Sequence, residues 1–175
     1  TLWWRMRIGV DATCWNNRRG YGRHLRSLLA ALSEVDQRHE YKLFIDVPLI
    51  EQVDLPKNAE AVLAETSVPA AQAARADGSR SLRDMWAVSR ALSRSAVDCL
   101  FFPTVYSYVP VFSRAIKLLM IHDVIAERLP EHVFPTLAGK TRWRLKVALA
   151  RRQADWILTV SEFSRQALVE QFGLK

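Results

Sequence analysis

The stretch Ile116–Glu127, IKLLMIHDVIAE, decides which class of fold is predicted for this chain. It begins with six residues that are apolar apart from Lys117, and such a short apolar run is typical of a strand buried on both faces. The run ends at His122 and Asp123, where ligands of open parallel sheets collect beyond the carboxyl ends of strands. His122 is therefore a candidate functional residue. The alternative is that it caps the strand by hydrogen bonding to Asp123 or to the backbone.

A strand, a polar loop and a helix are predicted near the amino terminus. Met6–Asp11 has the pattern of the first strand, and the polar loop after it contains Gly20 and Gly22. Free N–H groups at a helix N-terminus bind anions, and glycines let the backbone approach a phosphate closely. A dinucleotide fingerprint needs a third glycine at position 25, which is Leu25 here, so a plain flexible turn is the alternative. The helix carries one apolar stripe at intervals of three and four residues, formed by Leu25, Leu28, Leu29 and Leu32.

The remaining elements alternate along the chain. Further strands are predicted at Tyr41–Val47, Ala59–Ala64, Val97–Phe102 and Asp155–Val160. Further helices are predicted at Ser81–Ser95, at Thr136–Arg152, and from the N-cap Ser161 to the C-cap Gly173. This order predicts a single α/β domain over residues 1–175, Rossmann-like, with a mainly parallel sheet flanked by helices.

Two connecting segments are predicted to lie at the surface. Thr66–Arg80 is rich in Ala, Ser, Pro and Gly, and it is interpreted as a mobile excursion. Thr104–Pro110 is interpreted as a loop that exposes Tyr106 and Tyr108. These two rings either line a substrate pocket or pack against a neighbouring loop.

The predicted helix Thr136–Arg152 has three distinct stripes. The first, predicted to face the core, contains Leu145, Ala148 and Leu149. The second is basic and contains Lys140, Arg144 and Arg151. The third is apolar, and it either contacts a partner or a membrane surface or is buried under another element of the domain; it contains Trp143, Val147 and Ala150.

The composition excludes some classes of protein. The formal net charge of +7 suits ligands with phosphate groups, anionic membranes or nucleic acid. Because the chain has no RGG tract and no Lys-rich tail, we expect no nucleic-acid partner. Cys14 and Cys99 have no metal-ligand spacing, so they are predicted to be reduced structural thiols. No apolar run approaches the length of a membrane span, and the expected location is cytoplasmic.

Three stretches together resemble the N-terminal half of a retaining glycosyltransferase of family 4, which has the GT-B fold. The first is RIGVDATCWNNRRGYGRHLRSLLAAL, Arg7–Leu32, with its strand, glycine loop and helix. The second is IHDVIAERLPEHVFP, Ile121–Pro135, which is similar to the family's His-Asp segment and proline-bounded loop. The third is ADWILTVSEFSRQALVEQFGL, Ala154–Leu174, which is similar to the family's AD-x-I-x-x-V-S-x-x-S strand and helix.

The resemblance implies an enzyme that transfers a sugar from a nucleoside diphosphate sugar to a carbohydrate or lipid-linked acceptor, with retention at the anomeric carbon. His122 matches the histidine that faces the transferred sugar, where it holds a hydroxyl or the forming charge by hydrogen bonding. The resemblance also implies a set of substrate-binding residues: Gly20, Tyr21, Gly22, Asp123, Ser161 and Arg165. The family needs no cofactor beyond its donor substrate, and no metal is expected.

One part of the family pattern has no counterpart in the sequence. The Glu-x7-Glu segment and the Arg/Lys pair that bind the donor belong to the family's second domain. The expectation is an acceptor-side domain that is inactive without its C-terminal partner domain. Two alternatives remain: a non-catalytic Rossmann-like module that binds a nucleotide or sugar phosphate, and an interaction protein that contacts membranes through its basic face and the Trp143 stripe. Peripheral membrane contact is also compatible with a lipid-linked acceptor.

Overall fold

The computed structural model describes residues 5–17, 20–46, 55, 57–64, 66 and 81–174. Strands and helices alternate through these ranges. In chain order they are β1 Arg7–Asp11, α1 Gly20–Val35, β2 Glu40–Ile45, β3 Ala59–Leu63, α2 Leu82–Arg94, β4 Cys99–Phe102, β5 Ile116–Met120, α3 Ile125–Arg128, α4 Pro130–Val133, α5 Leu137–Gln153, β6 Trp156–Leu158 and α6 Glu162–Phe172.

The described strands form one six-stranded sheet in the order β3-β2-β1-β4-β5-β6. Every neighbouring pair in the sheet is parallel. The predicted α/β, Rossmann-like class is therefore confirmed, and the sheet is all-parallel within the described residues. From β1 the chain adds β2 and β3 on one side, and it then adds β4, β5 and β6 on the other side of β1. The strand order therefore reverses between β1 and β4. Ligands of such sheets bind outside the carboxyl ends of the strands at this reversal.

Helices cover the two faces of the sheet and create two apolar cores. On one face, Leu25 and Leu29 of α1 pack with Val10 and Leu43 of the strands, as the apolar stripe of α1 predicted. On the other face, α2, α5 and α6 pack against β4 and β5, and Leu100 is fully buried among them. Burying one leucine side chain of this kind stabilises the fold by about 1.5–3 kcal/mol.

The predicted core face of α5 is wrong. Leu145 and Leu149 are 60% and 40% exposed, whereas Val147 and Ala150 are 4% and 1% exposed. The two stripes are equally apolar, so periodicity could not choose between them. The small Ala150 side chain lets α5 approach the sheet closely, and the stripe that includes Trp143 is buried under its own domain.

The loop after β4 differs from its prediction at one of its two tyrosines. Tyr106 is 41% exposed, but Tyr108 is buried, and burial raises the pKa of its phenol to about 12. The Tyr108 hydroxyl donates to Gln153 Oε1 at 2.6 Å, and the same oxygen accepts from the Val111 N–H at 3.0 Å. Gln153 at the end of α5 therefore holds this loop against the domain. The predicted mobile excursion Thr66–Arg80 lies outside the described residues, apart from Thr66.

Several local predictions about capping and cysteines are confirmed. Ser161 Oγ accepts from the Ser164 N–H at 3.1 Å, and Gly173 ends α6 with a φ of 61°. Cys14 and Cys99 are buried free thiols, and burial raises the pKa of Cys14 to about 12. No helix in the ranges given above is long and apolar enough to cross a bilayer.

Gly22 marks the closest approach between α1 and the segment that precedes it. A Cβ atom at Gly22 would lie 2.2 Å from the Asn17 carbonyl oxygen and 2.4 Å from the Cys14 carbonyl oxygen. Both obstructing atoms belong to the backbone, so neither can rotate away. A glycine at this position is therefore required by the fold itself, because it lets α1 begin directly against the turn after β1.

We predict that Gly22→Ala destabilises the domain by about 2–3 kcal/mol, because the new methyl group must displace backbone. Urea unfolding followed by circular dichroism measures this change. The matched control is Gly139→Ala in α5, where the nearest atom to the added Cβ is the Thr136 hydroxyl oxygen at 3.2 Å. That control changes stability by less than about 1 kcal/mol. Equal stability of Gly22→Ala and the wild type would contradict the close approach.

Candidate functional site

The candidate site lies at the carboxyl ends of β1, β4 and β5, where the strand order reverses. The first turn of α1, which follows β1, contributes Tyr21 and His24. The loop after β4 contributes Tyr106, and the segment after β5 contributes His122. We call these four side chains the strand-end cluster. Because all strands are parallel, residues that follow them meet at one edge of the sheet.

The rings of the strand-end cluster are in direct contact. The centroid of the His122 ring lies 4.9 Å from that of Tyr21 and 5.0 Å from that of His24, and both contacts are edge-to-face. The Tyr21 and Tyr106 ring centroids are 5.1 Å apart. Aromatic pairs in these geometries stabilise one another by about 0.5–1.5 kcal/mol beyond their burial.

A backbone hydrogen bond fixes the orientation of His122. Its Nε2 atom lies 2.9 Å from the carbonyl oxygen of Pro103 at the end of β4. A carbonyl oxygen only accepts, so Nε2 must carry the proton, and Nδ1 of the neutral ring is left as an acceptor. The backbone bond that the structural alternative predicted for His122 is therefore present. It does not conflict with a functional role, since the same bond holds Nδ1 in one direction.

His24 is a neutral and incompletely bonded member of the cluster. Burial lowers its pKa below the ordinary value of 6.5, and a charge on the neighbouring His122 would lower it further. Its Nε2 atom is buried and has no hydrogen-bond partner among the described residues. A buried imidazole nitrogen without a partner is unfavourable, so this atom is available to a ligand or to water.

The tyrosines of the cluster are neutral as well. Burial raises the pKa of Tyr21 well above its ordinary value, and the carboxylates of Asp123 and Glu127 raise it further. Burial also raises the pKa of Tyr106. Tyr21, Tyr106 and His24 therefore present uncharged rings and hydroxyl groups near neutral pH, and these groups suit hydrogen bonding to other hydroxyl groups.

Trp143 contacts the strand-end cluster and is hydrogen-bonded to Glu127. The Trp143 ring centroid lies 4.6 Å from that of Tyr106, and Trp143 Nε1 donates to Glu127 Oε1 at 2.7 Å. Burial raises the pKa of Glu127, and Asp123 adds to the rise. A cavity of about 20 Å³ lies between these residues and the cluster, which is room for about one water molecule.

Sequence reasoning missed His24, Glu127 and the role of Trp143. One signal for His24 was available, because it lies three residues after Tyr21 and therefore on the same face of α1. For Glu127 and Trp143 no signal was available. Their contact depends on the path of α3, α4 and α5, and the sequence predicted only a loop bounded by Leu129 and Pro135.

The other residues implied by the resemblance have varied positions. Gly20 begins α1 with a φ of 44°, and nothing lies within 4 Å of the position that a Cβ would occupy. Asp123 lines the small cavity, and its Oδ1 accepts from the Ile125 N–H at 3.0 Å. Ser161 caps α6, and Arg165 is exposed and donates from Nη2 to Glu162 Oε1 at 2.6 Å. The charge of Arg165 is thus already balanced by its neighbour.

Metal ligands do not cluster in the part of the chain that the structure describes. No group of three or more His, Cys, Asp and Glu side chains there is arranged to hold a metal ion. His24 and His122 face each other as rings, and the candidate site has no third nitrogen, sulfur or carboxylate ligand in the required geometry. The imidazole and phenol groups at this edge can donate and accept hydrogen bonds.

The fold and the site define the class as a Rossmann-like α/β protein with a cluster of aromatic and imidazole rings at the reversal of its strand order. No protein-family model and no curated protein matches the chain. The geometry of the strand-end cluster is therefore the basis of the functional conclusion.

We predict that His24 titrates below pH 6.5 and that His122→Gln raises the pKa of His24, because the variant removes the titratable ring that lowers it. Proton–nitrogen NMR of the imidazole rings measures both values. The same spectra report that neutral His122 carries its proton on Nε2. The control is His132→Gln, which removes an exposed histidine beside Glu131 and leaves the pKa of His24 unchanged. Titration of His24 at 6.5 or above in the wild type would contradict its burial against His122.

Proposed function

We propose that this chain is the acceptor-side, N-terminal domain of a retaining glycosyltransferase with the GT-B fold. Its reaction would transfer a sugar from a nucleoside diphosphate sugar to a carbohydrate or lipid-linked acceptor. The supporting observation is the 4.9 Å contact between the rings of Tyr21 and His122. This contact joins two stretches that resemble the family, Arg7–Leu32 and Ile121–Pro135, although the two residues are far apart in the sequence.

His122 would be the catalytic residue of this domain. Transfer of a sugar passes through a transition state with positive charge on the sugar ring and negative charge on the leaving diphosphate. With Nε2 bonded to the Pro103 carbonyl, Nδ1 is free to accept a hydrogen bond from a hydroxyl group of the transferred sugar. Such a bond orients the sugar and becomes stronger as the ring gains positive charge. Attack by His122 as a nucleophile is not required.

The tyrosines would bind the sugars through both their rings and their hydroxyl groups. Tyr106 is partly exposed and its ring makes a tilted contact with Trp143, so its exposed part would offer an apolar surface to a sugar ring. Tyr21 and Tyr106 are neutral donors, which suits hydroxyl groups better than charged ones. Asp123 at the rim would accept from a further hydroxyl. These contacts explain why this domain would mainly hold the acceptor.

The small size of the cavity fits a cleft that a second domain completes. A cavity of about 20 Å³ is far below the roughly 300–1,000 Å³ of ordinary ligand pockets. The resemblance implies that a C-terminal domain supplies the paired glutamates and the cationic residues for the donor diphosphate. In the N-terminal domain, the start of α1 at Gly20 would face the diphosphate with the backbone N–H groups of its first turn.

The second candidate function is a non-catalytic Rossmann-like module that binds a nucleotide or a sugar phosphate. The open start of α1 at the reversal of strand order favours it, because phosphate binding there needs no second domain. The two candidates predict different affinities for nucleotides. A complete nucleotide site binds in the micromolar range, whereas half of a cleft binds in the millimolar range.

We predict that these 175 residues alone bind UDP, ADP and GDP no tighter than about 1 mM and transfer no sugar from their glucose conjugates. Calorimetry measures the binding, and nucleotide release in the presence of a panel of sugar acceptors measures transfer. Micromolar nucleotide binding without transfer would favour the binding module. Sustained transfer by this chain alone would overturn the proposal that a second domain completes the site.

We predict that His122→Ala lowers kcat about 10²–10³-fold in the product of the complete reading frame that contains this chain, because it removes an acceptor aimed at the transferred sugar. The matched control is His132→Ala, an exposed histidine of α4, which keeps wild-type kcat. Circular dichroism establishes that both variants are folded. Equal kcat for His122→Ala and the wild type would show that His122 has only its structural role.

A further inference from the structure

A second pocket lies on the other side of Trp143 and Glu127 from the strand-end cluster. It is enclosed by α3, α4, α5 and α6, and its volume is about 150 Å³. Three cations and three aromatic rings dominate its lining. We call it the basic pocket, and its defining residues are Lys140, Arg144, Arg151, Phe134, Trp143 and Phe172.

The three cations share one face of α5. Arg144 and Arg151 lie four and eleven residues after Lys140, and these intervals return to nearly the same direction around a helix. Within the described ranges, the side chains of Lys140 and Arg144 form no hydrogen bond or ion pair. The basic stripe that the sequence predicted is therefore present, and its three residues line this pocket.

Arg151 is the innermost of the three cations. Its Nη2 atom donates to the Phe172 carbonyl oxygen at 3.0 Å, and its guanidinium group lies 4.0 Å from the centroid of the Phe172 ring. Its Nε atom is buried and has no partner among the described residues. Burial lowers the pKa of Arg151, but a guanidinium group keeps its charge in proteins. Arg151 itself is half-buried, and its buried, unpaired Nε donor is unfavourable unless an acceptor reaches it.

The pocket contains too little negative charge to balance these cations. Glu127 is its only carboxylate among the described lining residues, and one of its oxygens already accepts from Trp143 Nε1. Burial raises the pKa of Glu127, so burial works against its negative charge as well. Three cations therefore face a single carboxylate, and the net charge of the pocket is positive.

We propose that the basic pocket binds the phosphate group of a small phosphate monoester. A phosphate offers several acceptor oxygens, so it can accept from Arg151 Nε while it pairs with Arg144 and Lys140. Phe134 and Trp143 contact the apolar or ring-shaped part of the ligand. A cavity of 150 Å³ is too small for a nucleotide, because pockets for ligands of that size enclose roughly 300–1,000 Å³.

This site is separate from the site of the proposed sugar transfer. The sugar-transfer proposal depends on His122 and Tyr21, neither of which lines the basic pocket. The two sites share the Glu127–Trp143 hydrogen bond as a common wall. Failure of phosphate binding would leave the sugar-transfer proposal untouched, and failure of sugar transfer would leave this one untouched.

The test is a titration of the nitrogen-labelled chain with inorganic phosphate and with glycerol 3-phosphate at constant ionic strength, followed by NMR. We expect saturable shifts of the Trp143 indole and Arg151 Nε–H signals, with a Kd on the order of 1 mM or below. Sodium chloride in place of phosphate gives no saturable shift. The same titration is repeated with a soluble short-chain phosphatidic acid. If this lipid binds more tightly than glycerol 3-phosphate, the ligand is a lipid headgroup; if the two bind equally, the ligand is a free phosphate monoester.

Two variants and a matched control make the test decisive. We expect Arg151→Gln, and separately Lys140→Gln combined with Arg144→Gln, to weaken phosphate binding at least about tenfold. The control Arg152→Gln removes an exposed cation from the next position of the same helix and leaves binding unchanged. If Arg151→Gln fails to fold, the double variant decides. The proposal is overturned if the wild type gives no saturable shift, or if the folded variants bind phosphate as tightly as Arg152→Gln.

Discussion

The pairing of β1 with β4 is the constraint on which the rest of the structure depends. Parallel ladder bonds align Ile8 with Cys99 and Val10 with Phe101. Just before β4, Asp98 accepts from the Arg7 N–H at 2.8 Å and donates its own N–H to the Arg7 carbonyl at 2.9 Å. This pairing places β4 on the opposite side of β1 from β2, so the strand order reverses here. The segments after β1, β4 and β5 then converge at one edge.

The hydrogen bond between His122 and the Pro103 carbonyl joins two neighbouring strand ends at that edge. It satisfies a backbone acceptor that follows β4, and it also selects the tautomer of the imidazole. The structural and the functional interpretations of His122 are therefore compatible. Tyr21 and His24 of α1 pack edge-to-face against the same ring, so α1 and the segment after β4 both hold its orientation. A group held in this way loses little freedom when it meets a ligand.

Short-range patterns predicted the fold well, but side-chain positions at the site required tertiary contacts. Apolar runs located the strands, and Ser161 and Gly173 located the ends of the last helix, because these signals act within a few residues. Leu145 of α5 was predicted to face the core but is exposed, because only packing against the sheet distinguishes the two apolar faces of this helix. Tyr108 was predicted exposed, but its partner Gln153 is distant in the sequence. The contact of Glu127 with Trp143 could not be predicted for the same reason, because the two residues are distant in the sequence.

The Glu127–Trp143 pair explains why two sites of different character lie so close together. Trp143 makes tilted ring contacts with Tyr106 and with Phe134, and it lines both sites. In the strand-end cluster, burial keeps His24 and the tyrosines neutral. On the side of the basic pocket, Arg151 is half-buried with its Nε atom inaccessible to solvent, but it cannot lose its charge. Neutral donors and acceptors bind hydroxyl groups at little desolvation cost, whereas a buried cation needs an anionic partner. Burial makes an imidazole group neutral but leaves a guanidinium group charged. The first site is therefore suited to hydroxyl groups and the basic pocket to an anion.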